Sequence, residues 1–190
     1  MKHKLLVLTM ALSCTLAGNA MALTKGEYKA GKDRISADYK VNKQKCDGLK
    51  ANAKDICVSE AKGAEKVAKA ELESQYKPTP KNMEKVGFAK ADAAYDTAKE
   101  RCDDLAGNAK DVCVKDARAA RVKAKEDAKV AKASADVNKA GSDKVTDASK
   151  DANKAKNEAD YKAAKERCDA LAGAPKDSCV NDAKAKFGMK

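Results

Sequence analysis

Three pairs of cysteines are the residues of this chain whose type and spacing could carry chemistry. Two thiolates without a histidine fall short of a structural zinc site. A thioredoxin-like redox centre would need the spacing Cys-x-x-Cys, which the sequence does not contain. We therefore predict disulfides, with no metal and no cofactor. The cysteines of each pair are eleven positions apart, and the pairs are Cys46 with Cys57, Cys102 with Cys113, and Cys168 with Cys179.

The start of the chain indicates the compartment in which these cysteines lie. Residues 1–22 combine a basic beginning, an apolar run and a small-residue ending, which is the pattern of a secretory signal peptide. The apolar run is too short to span a bilayer. A lipoprotein signal with Cys14 as the acylated residue fits the motif less well. We predict cleavage after Ala22 and an exported protein, periplasmic or secreted, in which disulfides persist.

Composition excludes a thick core and most catalytic chemistry. Charged residues make up 36% of the chain and aromatic residues 4%, and alanine dominates the apolar residues. Because alanine and lysine favour helices, we predict an all-α protein. Signal cleavage would remove His3, the only histidine, and with Lys2 and Lys4 would lower Lys+Arg from 40 to 38 against 29 Asp+Glu. The mature chain then has a net charge of about +9 and no imidazole for acid–base catalysis, so we expect no enzyme.

Three segments around the cysteine pairs align without a gap. They are KCDGLKANAKDICVSEAK from Lys45, RCDDLAGNAKDVCVKDAR from Arg101 and RCDALAGAPKDSCVNDAK from Arg167. Each is preceded by a tyrosine seven residues before its first cysteine, namely Tyr39, Tyr95 and Tyr161. We interpret these tyrosines as packing residues that thicken a seam of alanines.

Apolar spacings of three and four residues predict a helical seam on both sides of the middle turn. Its members are Phe88, Ala91, Tyr95, Ala98, Cys102 and Leu105 before the turn, and Cys113, Ala117, Ala120 and Ala124 after it. Such a seam buries little area per residue, so a disulfide that contributes about 2–3 kcal/mol would matter to each hairpin.

The residues between the two cysteines of a pair predict a tight turn. Gly107 tolerates the left-handed conformation that ends helices, and Asn108 would then be the N-cap of the next helix. Pro175 occupies a first-turn position, where a helix accepts proline. In the first segment Ala51 replaces the glycine, which leaves its turn open to another conformation. The turn residues singled out in this way are Asn52, Gly107, Asn108, Gly173 and Pro175.

A turn is needed before these cysteines can meet. On one continuous helix, residues eleven apart are about 16 Å apart along the axis, which is beyond the reach of a disulfide. Folded at Gly107-Asn108, the two cysteines would lie five residues before and five residues after the turn, facing each other across an antiparallel pair. Six cysteines allow fifteen connectivities, and this geometry favours a bridge within each segment.

We predict an all-α fold with three disulfide-stapled antiparallel helical hairpins joined into an elongated, coiled-coil-like array. Gly141 either bends the chain between the fourth and fifth helices or is passed through in one long helix. The expected segments are the signal peptide (1–22), the first hairpin (23–77), a proline-rich break (78–81), the second hairpin (82–140), and a helix with the third hairpin (141–190). The expected helices cover about 25–50, 52–77 and 82–106, continue from 108 and up to 172, and end with 175–187.

The signal peptide and the motif YxxAKxxCDxLxGNAKDxCVxDAK resemble a group of small exported proteobacterial proteins rich in alanine and lysine. These proteins are often labelled TolA-like or cell-envelope biogenesis proteins. The likeness extends over nearly all of the mature chain through its three cysteine segments. It implies a helical protein of the cell envelope, and it supplies no catalytic or binding residues.

Two functions from different classes fit these features. The first is a structural or stress-protective protein of the periplasm or cell envelope. The second is a weak, charge-based binding module for anionic envelope components such as lipid headgroups or cell-wall polymers, with the positive surplus spread over all three hairpins. Other envelope proteins are a further class of partner. We expect no nucleic-acid partner and no transmembrane span in the mature chain, and the sequence leaves the oligomeric state open.

Overall fold

The structure is a computed structural model that describes residues 22–136 and 141–190. Within these ranges it contains six α-helices, a short 3-10 turn at Cys46–Gly48 and no strand, which confirms the predicted all-α class. The helices are α1 (Lys25–Lys45), α2 (Ala51–Tyr76), α3 (Pro80–Cys102), α4 (Gly107–Ala135), α5 (Ser142–Cys168) and α6 (Ala174–Phe187). The predicted signal peptide, apart from Ala22, lies outside the described residues.

Each described helix packs only against the helices that precede and follow it in the sequence. Short connections make consecutive helices antiparallel. The three hairpins therefore also pack on one another, because α2 lies against α3 and α4 lies against α5. The array has no shared central core, and its buried apolar residues are small ones with a single leucine: Cys46, Ala61, Leu72, Ala91, Cys102, Ala119, Ala152, Ala163, Cys168 and Ala183.

The alternation of helix direction places all three cysteine turns at the same end of the array, which we call the stapled end. Helices α1, α3 and α5 run towards this end, and α2, α4 and α6 run away from it. The turn between α2 and α3 lies at the opposite end, where α4 also finishes and α5 begins. A single row of turns, rather than turns scattered over the molecule, is therefore a consequence of the up-and-down topology.

The helices that approach the stapled end finish earlier than predicted. They end at Lys45, Cys102 and Cys168, not near 50, 106 and 172. In each turn the leucine three residues after the first cysteine donates its backbone N–H to the carbonyl of that cysteine, at 3.0–3.1 Å, which closes the turn at once. The turn predicted at Gly107-Asn108 lies earlier, at 103–106, so the first cysteine is at the helix end and the second is in the second turn of the next helix.

The connections at the opposite end also differ from the sequence expectation. Pro80 begins α3, inside the predicted break at 78–81, because proline suits the first position of a helix and Thr79 caps it by accepting the N–H of Asn82 at 3.2 Å. Gly141 has φ +75° and directly precedes α5. Since α4 and α5 lie side by side, they are two helices and not one long helix.

The predicted seam holds on α3 but shifts on α4. Ala91 and Cys102 are buried, whereas Leu105 is 44% exposed because it belongs to the turn. On α4, Ala120 and Ala124 are exposed, and the buried alanine is Ala119, which faces α5. A seam describes one contact face, whereas α3 and α4 each pack against two helices. On α3 the seam is the face towards α4, and Thr97, which lies outside the seam, is buried next to Ser59 of α2.

Long cationic side chains fill the stripe of α4 that faces α3. Arg121 and Lys125 lay their charged ends 5.1 and 5.2 Å from the ring centres of Tyr95 and Phe88. Both cations also bind Asp92, at 2.5 and 2.7 Å. Burial raises the pKa of Asp92, but its bonds to Lys125 and Arg121 together outweigh burial and hold this pKa below its usual value.

Candidate functional site

The three bridged turns of the stapled end are the most regular feature of the molecule. The bridges join Cys46 to Cys57, Cys102 to Cys113 and Cys168 to Cys179, with Cα–Cα distances of 5.6, 5.7 and 5.7 Å. The first cysteine of each bridge is buried, with an exposed fraction of 0–1%. Each bridge therefore fastens the end of one helix to the second turn of the next.

Each turn has one residue with a positive φ at the same place. Gly107 and Gly173 have φ of +56° and +61°, and Ala51 has φ of +48° at the equivalent place in the first turn. The first turn thus keeps the positive φ although alanine there costs about 1 kcal/mol relative to glycine. Gly107 is the first residue of α4 and does not end α3, so the left-handed residue starts the outgoing helix.

An ion pair spans each turn beside the disulfide. Asp103 binds Lys110 at 2.9 Å and Asp169 binds Lys176 at 2.8 Å. The corresponding residues of the first turn, Asp47 and Lys54, are 3.8 Å apart. The hydrogen bond from Lys110 lowers the pKa of Asp103, and the bond from Lys176 lowers that of Asp169.

The asparagines of the turns link neighbouring hairpins and do not cap their own helices. Ala106, not Asn108, is the residue before α4. The side-chain amide of Asn108 donates to the backbone carbonyl of Glu166 at 3.1 Å, and that of Asn52 donates to the carbonyl of Glu100 at 2.8 Å. We call this contact the asparagine latch. It could not be found from local spacing, because its partner is on the following hairpin.

Two ion pairs accompany each asparagine latch, at equivalent positions in both cases. The α2–α3 contact has Glu60 with Arg101 at 2.6 Å and Glu71 with Lys90 at 2.7 Å, and the α4–α5 contact has Asp116 with Arg167 at 2.5 Å and Asp127 with Lys156. We call a latch with its two ion pairs a hairpin joint. Exposed ion pairs contribute little singly, so the latch and the repetition give the joint its specificity.

In the third turn, Ala174 occupies the position of the latch asparagine. Pro175 follows it in the first turn of α6, as predicted from the sequence. Because α6 has no following hairpin in the described residues, this turn retains its disulfide and its ion pair but has no latch. The third hairpin therefore differs from the other two at the residue that joins hairpins.

The three seam tyrosines are half-buried within their hairpins. A second aromatic feature, which sequence spacing did not reveal, lies at the end opposite the stapled end. The rings of Tyr28 and Tyr76 stack with centroids 4.4 Å apart, and the hydroxyl of Tyr28 donates to Glu73 at 2.6 Å. This hydrogen bond raises the pKa of Tyr28. The contact joins the start of α1 to the end of α2, far apart in the sequence.

A groove of about 610 Å³ lies near this same end. Its apolar lining comes from Leu23, Pro78, Met83 and Val86, and Glu71 is the one titratable residue among the described residues that line it. Glu71 already binds Lys90 in a hairpin joint, and the other polar residues of the lining are Ser74 and Gln75. Nowhere in residues 22–136 and 141–190 do three or more His, Cys, Asp or Glu side chains come together as a metal site.

No helix in the described part of the chain is long and apolar enough to cross a membrane. No protein-family model, curated protein or solved structure matches this chain. The resemblance to exported TolA-like proteins therefore stays a prediction.

Proposed function

We propose that this chain is a non-enzymatic, exported protein of the periplasm or cell envelope with a structural, stress-protective role. The observation that supports this role is the row of three bridged turns at one end, two of which are latched to the next hairpin. The array is thus fastened along one edge by covalent bonds and by repeated polar contacts. It does not depend on a thick hydrophobic core.

Local bridges suit a protein that must survive unfolding conditions. Each bridge closes a short loop and contributes about 2–3 kcal/mol by restricting the unfolded chain. The bridges are covalent and persist when the helices melt, and because each joins cysteines only eleven positions apart, it holds the two helices of one hairpin together. The unfolded chain then keeps its three turns, and refolding begins from hairpins that are already closed.

The contact topology favours recovery in the same way. Contacts join only helices that are consecutive in the sequence. Such a low contact order permits fast folding, since no distant segments have to find each other. Stability is then approximately the sum of the hairpins and of the joints between them, as in repeat proteins. An envelope protein of this kind can unfold in part and recover without a slow search.

Fractionation and complementation test this proposal. The full chain is expressed in a strain that lacks its own copy, and cells are separated into cytoplasmic, periplasmic and membrane fractions. We expect a mature form beginning at Leu23, without free thiols, in the fraction released by osmotic shock. Survival after heat or acid shock should be restored by the wild type and much less by a variant with all six bridge cysteines changed to serine. Retention in the cytoplasm, or equal protection by the serine variant, would contradict the proposal.

A specific observation favours the second function as an alternative. Helix α1 carries seven basic and three acidic residues, which are exposed, and within the described residues no ion pair joins α1 to another helix. Seven minus three leaves α1 with a surplus of four positive charges, and none of its charges is paired with another described helix. An anionic surface could be held by this helix through screened, salt-sensitive attraction. Release from isolated envelopes by salt, in place of release by osmotic shock alone, would favour this alternative.

A further inference from the structure

The hairpin joint defines a donor helix and an acceptor helix, and the pattern occurs twice. The donor has an asparagine followed by acids eight and nineteen residues later. The acceptor offers a backbone carbonyl and a cation at the next residue. A second cation lies eleven residues before the first cation. The donors use Asn52, Glu60 and Glu71 on α2 and Asn108, Asp116 and Asp127 on α4, and the acceptors use Glu100, Arg101 and Lys90 on α3 and Glu166, Arg167 and Lys156 on α5.

Helix α1 has the same acceptor groups with no donor packed against them. Counted from the first cysteine of each unit, the equivalent residues are Gln44, Lys45 and Arg34. All three are exposed, and the side chain of Arg34 is 85% accessible. In the described residues α1 contacts only α2 and the short turn that joins them. Its outer face is therefore an open copy of a face that is covered twice elsewhere.

An apolar residue marks the centre of this open face. Val41 lies five residues before its cysteine and is 52% exposed, whereas Thr97 and Ala163 at the equivalent positions are 9% and 3% exposed. Thr97 and Ala163 are covered because a donor helix lies over them. Exposure of a valine at the one uncovered copy is what an interface without its partner would show.

We propose that the outer face of α1, formed by Arg34, Val41, Gln44 and Lys45, binds a stapled helical hairpin of the same class carried by a different polypeptide. The binding helix would have an asparagine in its first turn and acids eight and nineteen residues later. Its acids would pair with Lys45 and Arg34, its amide would donate to the carbonyl of Gln44, and its apolar side would cover Val41. This proposal rests only on the repeated hairpin joint and does not depend on the proposed stress-protective role.

A second copy of this chain does not offer a free donor helix to α1. Its donor faces on α2 and α4 are already occupied by α3 and α5. Its α6 has Ala174 in place of the latch asparagine and Ser178 in place of Ile56 and Val112. That helix also ends at Phe187, where Gly188 caps it in the left-handed conformation. It is therefore too short to carry an acid nineteen residues after position 174. Such a polar outer face is what ends a repeat array, so the partner of α1 is a different polypeptide.

The test uses the full chain as its own probe by restoring a donor face on α6. The variant Ala174→Asn with Ser178→Val regains the latch and the apolar contact, while Asp182 already occupies the place of the first acid. Sedimentation velocity over a range of concentrations compares this restored chain with the wild type. We expect a monomeric wild type, and a restored chain that associates head to tail as its concentration rises.

Substitutions on α1 locate the contact. In the restored chain, Lys45→Glu should weaken association about tenfold, because attraction to Asp182 becomes repulsion, and Val41→Lys should act in the same direction. Lys43→Glu is the matched control, since it makes the same charge change about 200° around the helix from Lys45 and should leave association unchanged. Exchange of the charges by Lys45→Asp with Asp182→Lys should recover the affinity of the restored chain.

Two results would overturn the proposal. A restored chain that is helical by circular dichroism yet monomeric up to about 1 mM would show that the face of α1 is not an acceptor. If the double substitution disturbs the third hairpin, Ala174→Asn alone decides the point by the same measurement. Wild-type association that Lys45→Glu abolishes would show that the occupant is a second copy, which overturns the assignment to a different polypeptide.

Discussion

The side-chain amide of Asn108 donates a hydrogen bond to the backbone carbonyl of Glu166, 3.1 Å away, although the two residues are 58 positions apart in the sequence. Asn52 and Glu100 repeat this relationship one hairpin earlier, at 2.8 Å. The carbonyl that each asparagine reaches lies in the last turn of a helix, where it also accepts the backbone N–H of Asp103 or Asp169 at 3.0–3.1 Å. The latch therefore gives this carbonyl a second donor, which comes from the neighbouring hairpin and fixes the register between the two.

Removal of a latch should loosen one joint without breaking a hairpin. We expect Asn108→Ala to lower the free energy of unfolding by about 0.5–1.5 kcal/mol, because one hydrogen bond between hairpins is lost while the carbonyl of Glu166 keeps the N–H of Asp169. Urea unfolding followed by circular dichroism measures the change. Asn181→Ala, at an exposed position of α6, is the control and should have little effect. Equal stability of the two variants would show that the latch contributes nothing.

The residue with a positive φ in each turn gives a pair of opposite predictions. Ala51→Gly should raise stability by about 0.5–1 kcal/mol, since glycine adopts φ of +48° without a steric penalty. Gly107→Ala should lower stability by a similar amount through the backbone alone, because an added Cβ would meet no atom within 4 Å. Thermal unfolding of both variants provides the measurement. A loss of stability in Ala51→Gly would contradict the positive φ of this residue.

The turn ion pairs predict a loss of stability at acid pH. Lys110 and Lys176 lower the pKa values of Asp103 and Asp169 in the folded state. A group with a lowered folded pKa stabilises the fold above its unfolded value, about 3.9 for aspartate, and loses this contribution as the pH falls through the folded value. Lys110→Met should therefore make the acid side of the stability profile shallower. A profile identical to that of the wild type would mean that the pair is absent in solution.

Tyr28 predicts the opposite behaviour at alkaline pH. Its hydrogen bond to Glu73 raises the pKa of the phenol above its ordinary value of about 10. A raised pKa stabilises the fold below the unfolded value, and this contribution is lost as the pH rises through the folded value. The variant Tyr28→Phe should remove this part of the alkaline decline. Spectrophotometric titration of tyrosine absorbance should find one fewer late-titrating phenol in this variant.

Much of the fold could be predicted from residues that are close together in the sequence. The three cysteine pairs and the first-turn position of Pro175 depend on residues at most eleven positions apart, so spacing and geometry sufficed to predict them. The predicted end of α3, near residue 106, was wrong because the backbone hydrogen bond from Leu105 to Cys102 closes the turn earlier than helix propensity indicates. The local pattern also suggested an N-cap role for Asn108, whose real partner lies on another hairpin.

Contacts between helices were the part that the sequence did not reveal. Ala119 and Arg121 are two positions apart on α4, about 200° around a helix, and they face α5 and α3 respectively. A single seam cannot describe a helix with two neighbours. The equivalence of Val41 to the covered Thr97 became visible only when the joint between α2 and α3 was known.

Non-reducing peptide mapping of the purified, exported protein tests the central claim most directly. Trypsin can cut between the two cysteines of every pair, at Lys54, Lys110 and Lys176, so each bridge would appear as two linked peptides that separate on reduction. The stapled array predicts three such pairs, Cys46 with Cys57, Cys102 with Cys113 and Cys168 with Cys179, and no free thiol. A linked pair that joins cysteines from two different hairpins, or a recovered free cysteine peptide from any turn, would contradict it.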